Sequence, residues 1–188
     1  GGTGNDTVYA GNGDNTVYTG VSGLDNIYGG TGNNTFISQH AGVTYSGTNG
    51  TTILAGVYNT VDYSADTAGI TISLLGGFGI GGLANGDFYA GTGVAGYNSI
   101  NKIIAGSGTN SISGSRSDDW IIGGAGTDAI AGGEGNNILS GGGGVNDYYM
   151  GLGNDTVIAD NTGTSKNLSA ADQIDLGAGT DTVKVYLA

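Results

Sequence analysis

The chain has no cysteine, no proline and one histidine, and only four basic residues stand against sixteen acidic ones in its 188 positions. Without cysteine there are no disulfides and no thiol chemistry. With His40 alone, a metal centre built on two or more imidazoles is excluded, and a serine triad has a single candidate base. The surrounding SQHAGV carries no nucleophile elbow. A formal net charge of −12 repels nucleic acid and anionic membrane surfaces and attracts hard cations. No apolar run reaches the length needed to span a bilayer, and no basic-then-apolar leader opens the chain. It starts at Gly1 inside a repeat, the expectation being a mature portion or fragment of a longer protein.

What is abundant is glycine, with 42 copies, beside a hydrophobic fraction of 37%. Collagen is excluded because the glycines keep no three-residue period and proline is absent. Disorder is a poor fit, since Val, Ile, Leu, Tyr and Thr recur at regular intervals.

The interval is nine. From Ala105 the chain divides without a gap into AGSGTNSIS, GSRSDDWII, GGAGTDAIA, GGEGNNILS, GGGGVNDYY and MGLGNDTVI. The sixth places are Asn110, Asp119, Asp128, Asn137, Asn146 and Asp155; the eighth are Ile112, Ile121, Ile130, Leu139, Tyr148 and Val157. The start of the chain reads GGTGNDTVY, AGNGDNTVY, then GVSGLDNIY after an extra Thr19, then GGTGNNTFI, with sixth places Asp6, Asn15, Asp25 and Asn34. LGAGTDTVK adds Asp181 and Val183 near the end. Each phrase reads as a six-residue turn and a three-residue strand whose middle side chain alone points inward. Glycine serves where the turn takes positive φ or backbones crowd. Two phrases make one coil of 18 residues, and successive coils stack at about 4.8 Å.

This pattern resembles the GGxGxDxUx nonapeptide repeat of the RTX, hemolysin-type calcium-binding family, over roughly 1–37, 105–158 and 176–184. The resemblance implies an all-β fold, a parallel β-roll or β-helix solenoid of nonapeptides interrupted by an irregular β segment. It implies Ca²⁺ as cofactor, held between turns two phrases apart by sixth-place aspartates and turn carbonyls. Carried onto this chain, the metal ligands are Asp6, Asp25, Asp119, Asp128, Asp155 and Asp181. The match is imperfect, because pairing turns two phrases apart sets Asp6 on Asp25 but Asn15 on Asn34. In the later array one flank runs Asp119, Asn137, Asp155 and the other Asn110, Asp128, Asn146. Asparagine offers an oxygen without charge, so mixed sites bind calcium more weakly, and stacked asparagines form a hydrogen-bonded ladder instead. Asp155 and Asp181 lie 26 residues apart in sequence; residues 159–175 are read as an enlarged half-coil that returns Asp181 over Asp155. Asp14, Asp62, Asp66, Asp87, Asp118, Asp147, Asp160 and Asp172 are read as turn residues capping their own backbone.

Four segments follow: an N-terminal repeat array at 1–37, an irregular β segment at 38–104, the main array at 105–158, and a loop with a last repeat and capping strand at 159–188. The middle segment loses the period but keeps strand-like stretches such as TTILAG, NTVDYS and GITISLL. Its GFGIGG, from Gly77, matches a dinucleotide fingerprint, but helix formers are sparse after it. NLSAADQID, with Ser169 and Asp172 at cap-like spacing, suggests a short helical turn. Tyr9 and Tyr28, both ninth-place, should stack on an outer face.

No catalytic constellation stands out, because aspartates at regular turns already account for every paired carboxylate. The reading is a non-enzymatic, secreted or cell-surface calcium-binding module that folds on Ca²⁺ after type I secretion, in a bacterial surface layer, adhesin or self-assembling surface protein. Calcium ions are the implied partners, with self-association, neighbouring surface subunits or cell-surface glycans beside them, and with no nucleic acid or membrane insertion. The alternative is the C-terminal secretion and folding module of an exoenzyme such as a protease, lipase or polysaccharide-modifying enzyme.

Overall fold

The computed structural model describes residues 1–48, 56–91, 98–160 and 168–186. The strand expected at TTILAG falls mainly on 51–55, outside these residues. The described residues form two sheets facing each other across one thin core. The first contains β1 (Thr7–Tyr9), β3 (Asn26–Tyr28), β5 (Thr44–Ser46), β7 (Thr71–Ser73), β8 (Phe78–Ile80), β9 (Phe88–Tyr89), β11 (Ser111–Ser113), β13 (Ala129–Glu134), β15 (Asp147–Leu152) and β17 (Gln173–Asp175). The second contains β2 (Thr16–Tyr18), β4 (Thr35–Ile37), β6 (Thr60–Asp62), β10 (Lys102–Ile104), β12 (Trp120–Ile122), β14 (Ile138–Ser140), β16 (Thr156–Asp160) and β18 (Thr182–Tyr186). The second sheet runs in chain order; the first runs β1-β3-β5-β9-β8-β7-β11-β13-β15-β17. This is an all-β parallel roll.

The register is set by the eighth place. In the second sheet Val17, Phe36, Val61, Ile103, Ile121, Leu139, Val157 and Val183 align across successive strands. In the first, Val8, Ile27 and Tyr45 align with Tyr89, and Ile72, Ile112, Ile130, Tyr148 and Ile174 follow. The inner members of both columns are almost wholly buried, whereas their neighbours in strands such as β11 and β12 are exposed or half-buried. One apolar side chain per nine residues thus fills a core only one side chain deep on each sheet.

The middle segment keeps both sheets going. β6 and β10 carry the second sheet through it without a change of direction. The first sheet instead makes an excursion, in which β8 runs antiparallel between β7 and β9. Gly77 leads into β8, and Gly82–Ala84 forms a single 3-10 turn where a dinucleotide site would need a long helix. NLSAADQID, described from residue 168, holds a tight turn closed by the Asp172 N–H donating to the Ser169 carbonyl, and leads directly into β17. Across the 26-residue step Val157 lies beside Val183 and Tyr148 beside Ile174, while the half-coil expected at 159–175 falls partly on 161–167, outside the described residues. Tyr9 stacks on Tyr28 with centroids 4.9 Å apart and planes 10° from parallel.

Candidate metal centre

Each sixth-place residue ends a turn and begins a strand, so its side chain lies where consecutive turns stack. The backbone N–H of one sixth place donates to the side-chain Oδ1 of the next. Asp6 donates to Asp25 at 2.9 Å, Asn110 to Asp128 at 2.9 Å, Asp119 to Asn137 at 3.0 Å, Asn137 to Asp155 at 2.7 Å and Asp155 to Asp181 at 2.9 Å. All six aspartates picked from the repeat therefore lie in these columns, and Asp181 does return over Asp155.

The columns contain more than the repeat revealed. Asn34 donates to Asn59, Asn59 to Asn101, and Asn146 to Asp172. Asp87 takes the same kind of rung from the N–H of Val43 at 2.8 Å. Asp87 and Asp172 are thus rung residues and not simple turn caps, although Asp172 also caps Ser169. The readable signal was a shorter one: Asp or Asn two places before an inward apolar residue, as in Asp87–Tyr89, Asn59–Val61, Asn101–Ile103 and Asp172–Ile174. Asp14 and Asp118 belong to a second ladder at the fifth place, accepting from the N–H groups of Asn33 and Asn136 one coil on. Asp62 and Asp66 do cap their own turns, at Ser64 and Ala68.

The chemistry of the sixth letter appears in what its second side-chain atom meets. Asn110 Nδ2 donates to the carbonyls of Gly108 at 2.8 Å and Gly123 at 2.9 Å, and to Asp128 Oδ1 at 2.8 Å. Asn15 Nδ2 reaches Gly13 O at 2.7 Å and Asn34 Oδ1 at 2.9 Å, and Asn137 Nδ2 reaches Gly135 O and Asp155 Oδ1. The amide group therefore sits among converging oxygens, in the position of a cation. An aspartate at the same place has an oxygen there and no proton to offer. Among the described residues, four buried side-chain polar atoms lack a partner: Asp119 Oδ1, Asp128 Oδ2, Asp155 Oδ2 and the Tyr45 hydroxyl. Three of the four are the carboxylate oxygens of these turns.

Burial without a counter-ion is unfavourable for a carboxylate, and it shows in the proton affinities. Burial pushes the Asp119 carboxyl up to about 7 despite hydrogen bonds from Ser115, and the Asp128 carboxyl up to about 6 despite those from Asn110. Asp155 is raised too, again chiefly by burial. The turn leaves room beside the Asp128 oxygen. A Cβ on Gly123 would lie 2.5 Å from Asp128 Oδ2 and 2.8 Å from the carbonyl oxygen of Gly141, so glycine there keeps a carboxylate and a carbonyl of the next coil facing one gap. Its neighbour Gly124 has φ of 101°, which a side chain resists. Oxygen-only donors in a pliable turn suit Ca²⁺, which takes six to eight such ligands at about 2.3–2.6 Å.

Asp25 differs from these. Its Oδ2 lies 3.0 Å from His40 Nε2, which is also 3.4 Å from the Thr19 carbonyl oxygen; His40 Nδ1 is 2.8 Å from the Ala41 carbonyl oxygen. Burial lowers the proton affinity of His40, but these acceptors outweigh it and the net shift is upward.

No helix among the described residues is long and apolar enough to cross a membrane. No curated protein matches the chain. The family model described as RTX calcium-binding nonapeptide repeat (4 copies) matches residues 1–21, 19–38, 96–130, 104–139 and 122–157, together a little over half of the sequence. With that coverage, and with oxygen-lined turns that fit Ca²⁺, the chain belongs to the RTX calcium-binding nonapeptide repeat family.

Proposed function

We propose that this chain is an extracellular structural module that folds on binding Ca²⁺ after secretion, and that it serves in a bacterial surface layer, adhesin or self-assembling surface protein. The observation carrying this reading is the set of buried, unpartnered carboxylate oxygens of Asp119, Asp128 and Asp155, of which that of Asp128 shares the gap at Gly123 with the carbonyl of Gly141. Asp119, Asp128 and Asp155 would hold the ions of the main array, with Asp181 facing Asp155 and Asp6 serving at the N-terminal turn. Bound calcium supplies the positive charge that these oxygens lack. The rest is the work of the chain: Gly123 keeps the gap at Asp128 open, ladder N–H groups hold one oxygen of Asp128 and of Asp155 while Ser115 holds one of Asp119, and the strands fix the distance between coils.

Without the ion, carboxylate burial and the ordering entropy of glycine turns both oppose folding. Millimolar external calcium occupies even sites of about 10⁻⁴ to 10⁻³ M affinity and stabilises the folded form by mass action. Such a switch suits a protein that leaves a calcium-poor cytosol unfolded. The assembly part of the reading is supported by the outer face of the excursion, where Phe78 lies opposite Phe88 and both, with Ile80, remain exposed. The test is a calcium titration followed by circular dichroism, with Asp128→Ala alongside. The parent should gain strand signal with calcium, and the variant should need several-fold more. If the variant titrates like the parent, the ligand assignment is wrong.

A further inference from the structure

We propose that His40 occupies the cation position of the Asp25 turn, so that this turn takes no calcium in the native chain. The inference rests on the calcium-binding reading of the other turns and separates one of them from the rest.

Three observations converge on it. First, the position is built for His40. It is the third residue of SQHAGVTYS, one coil after Ser22, and other third-place residues such as Thr3, Asn12, Ser22, Thr31, Arg116 and Glu134 are exposed, whereas His40 is 8% exposed. Of the seven turns just named, this one sends the third-place side chain inward.

Second, its contacts repeat those of the ladder amides. Asn110 Nδ2 places its protons among a turn carbonyl, a carbonyl of the next coil and the Oδ1 of Asp128. His40 Nε2 likewise faces the Oδ2 of Asp25 and the carbonyl of Thr19, while Nδ1 faces the carbonyl of Ala41. Both ring nitrogens thus meet acceptor oxygens. Third, Asp25 is not among the buried carboxylates left with an unpartnered oxygen, although it is as deeply buried, at 2% exposure, as Asp128. Asp6 sends its N–H to one Asp25 oxygen and His40 covers the other. The same device recurs two places along the column, where the Tyr63 hydroxyl donates to Asp87 Oδ2 at 2.6 Å.

The imidazole and an ion compete for one space, since a ring nitrogen 3.0 Å from the carboxylate oxygen occupies the volume in which Ca²⁺ would coordinate. His40 is therefore a specificity-determining residue that makes the Asp25 turn independent of calcium.

The experiment is equilibrium dialysis of calcium against the full chain, its His40→Ala, His40→Gln and Asp25→Asn variants. His40→Ala should bind one more ion per chain than the parent and should melt lower in chelator, with the loss recovered by calcium. His40→Gln, whose amide can donate from nearly the same point, should keep the parental count. Asp25→Asn should also keep it. That variant needs no new site to form, so the idea remains falsifiable if His40→Ala does not fold. Loss of one ion with Asp25→Asn, or an unchanged count in a folded His40→Ala, would overturn the inference while leaving the calcium module intact. A parent that binds no calcium would instead overturn the function on which it rests.

Discussion

Asn137 and Asp155 occupy the same place in successive coils, and they differ by one terminal group. The amide of Asn137 donates to Gly135 O and to Asp155 Oδ1; the carboxylate of Asp155 leaves Oδ2 buried and without a partner. Replacing Asn137 by Asp deletes those donors and sets a third acid between Asp119 and Asp155. In chelator the variant should lose at least about 2 kcal/mol, the usual scale for stranding buried acceptors. In calcium it should recover and bind more tightly than the parent, because a charged ligand replaces a neutral one. Paired thermal melts with and without chelator check both halves. If Asn137→Asp is equally stable in both conditions, the amide is not standing in for an ion.

The elements around the excursion carry a different electrostatic signature. Asp87, just before β9, is 2% exposed, and burial raises its carboxyl from 3.8 to about 6, against the opposing hydrogen bonds from Tyr63 and Val43. The groups facing it are the hydroxyls of Tyr63, Tyr89 and Tyr45, all themselves raised by burial, and more distantly His40. Because the folded value lies above the unfolded one, its contribution to stability is full below pH ~4 and fades as pH rises through ~6, by about 3 kcal/mol in all. Urea midpoints between pH 4 and 7 in chelator should therefore fall more steeply for the parent than for Asp87→Asn. Parallel slopes would show that the carboxyl is not held protonated by the fold. This excursion is also where the sequence was hardest to read. β1 to β4 and β11 to β16 follow from the spacing of Gly, Asp or Asn, and an apolar residue, because each coil repeats one solution. The antiparallel β8 and the column places of Asp87 and Asp172 do not, because the glycines before Asp87 leave the second and fourth nonapeptide places, those before Asp172 are missing, and only the last letters of the phrase survive. His40 was legible as a lone histidine but not as a partner of Asp25, since a contact between coils leaves no local pattern.

Across the whole molecule a net charge of −12 acts at two ranges. General repulsion between surface acids is screened by any salt, over about 10 Å at 0.1 M and about 3 Å at 1 M. The buried oxygens of Asp119, Asp128 and Asp155 lie out of reach of that screening. Small-angle scattering should show the chain expanding in chelator, contracting only slightly when sodium chloride is raised to about 1 M, and contracting fully in millimolar calcium. Full compaction by sodium chloride alone would mean that diffuse charge, and not the turn sites, controls folding.

The rung between stacked side chains is the same whether its partners are 18, 19, 25, 26 or 42 residues apart. Perimeter and pitch are therefore uncoupled in this scaffold: extra chain can be spliced in at a corner while the vertical spacing of the spiral is left untouched, which makes each corner a port where new surface can be added without retuning the interior.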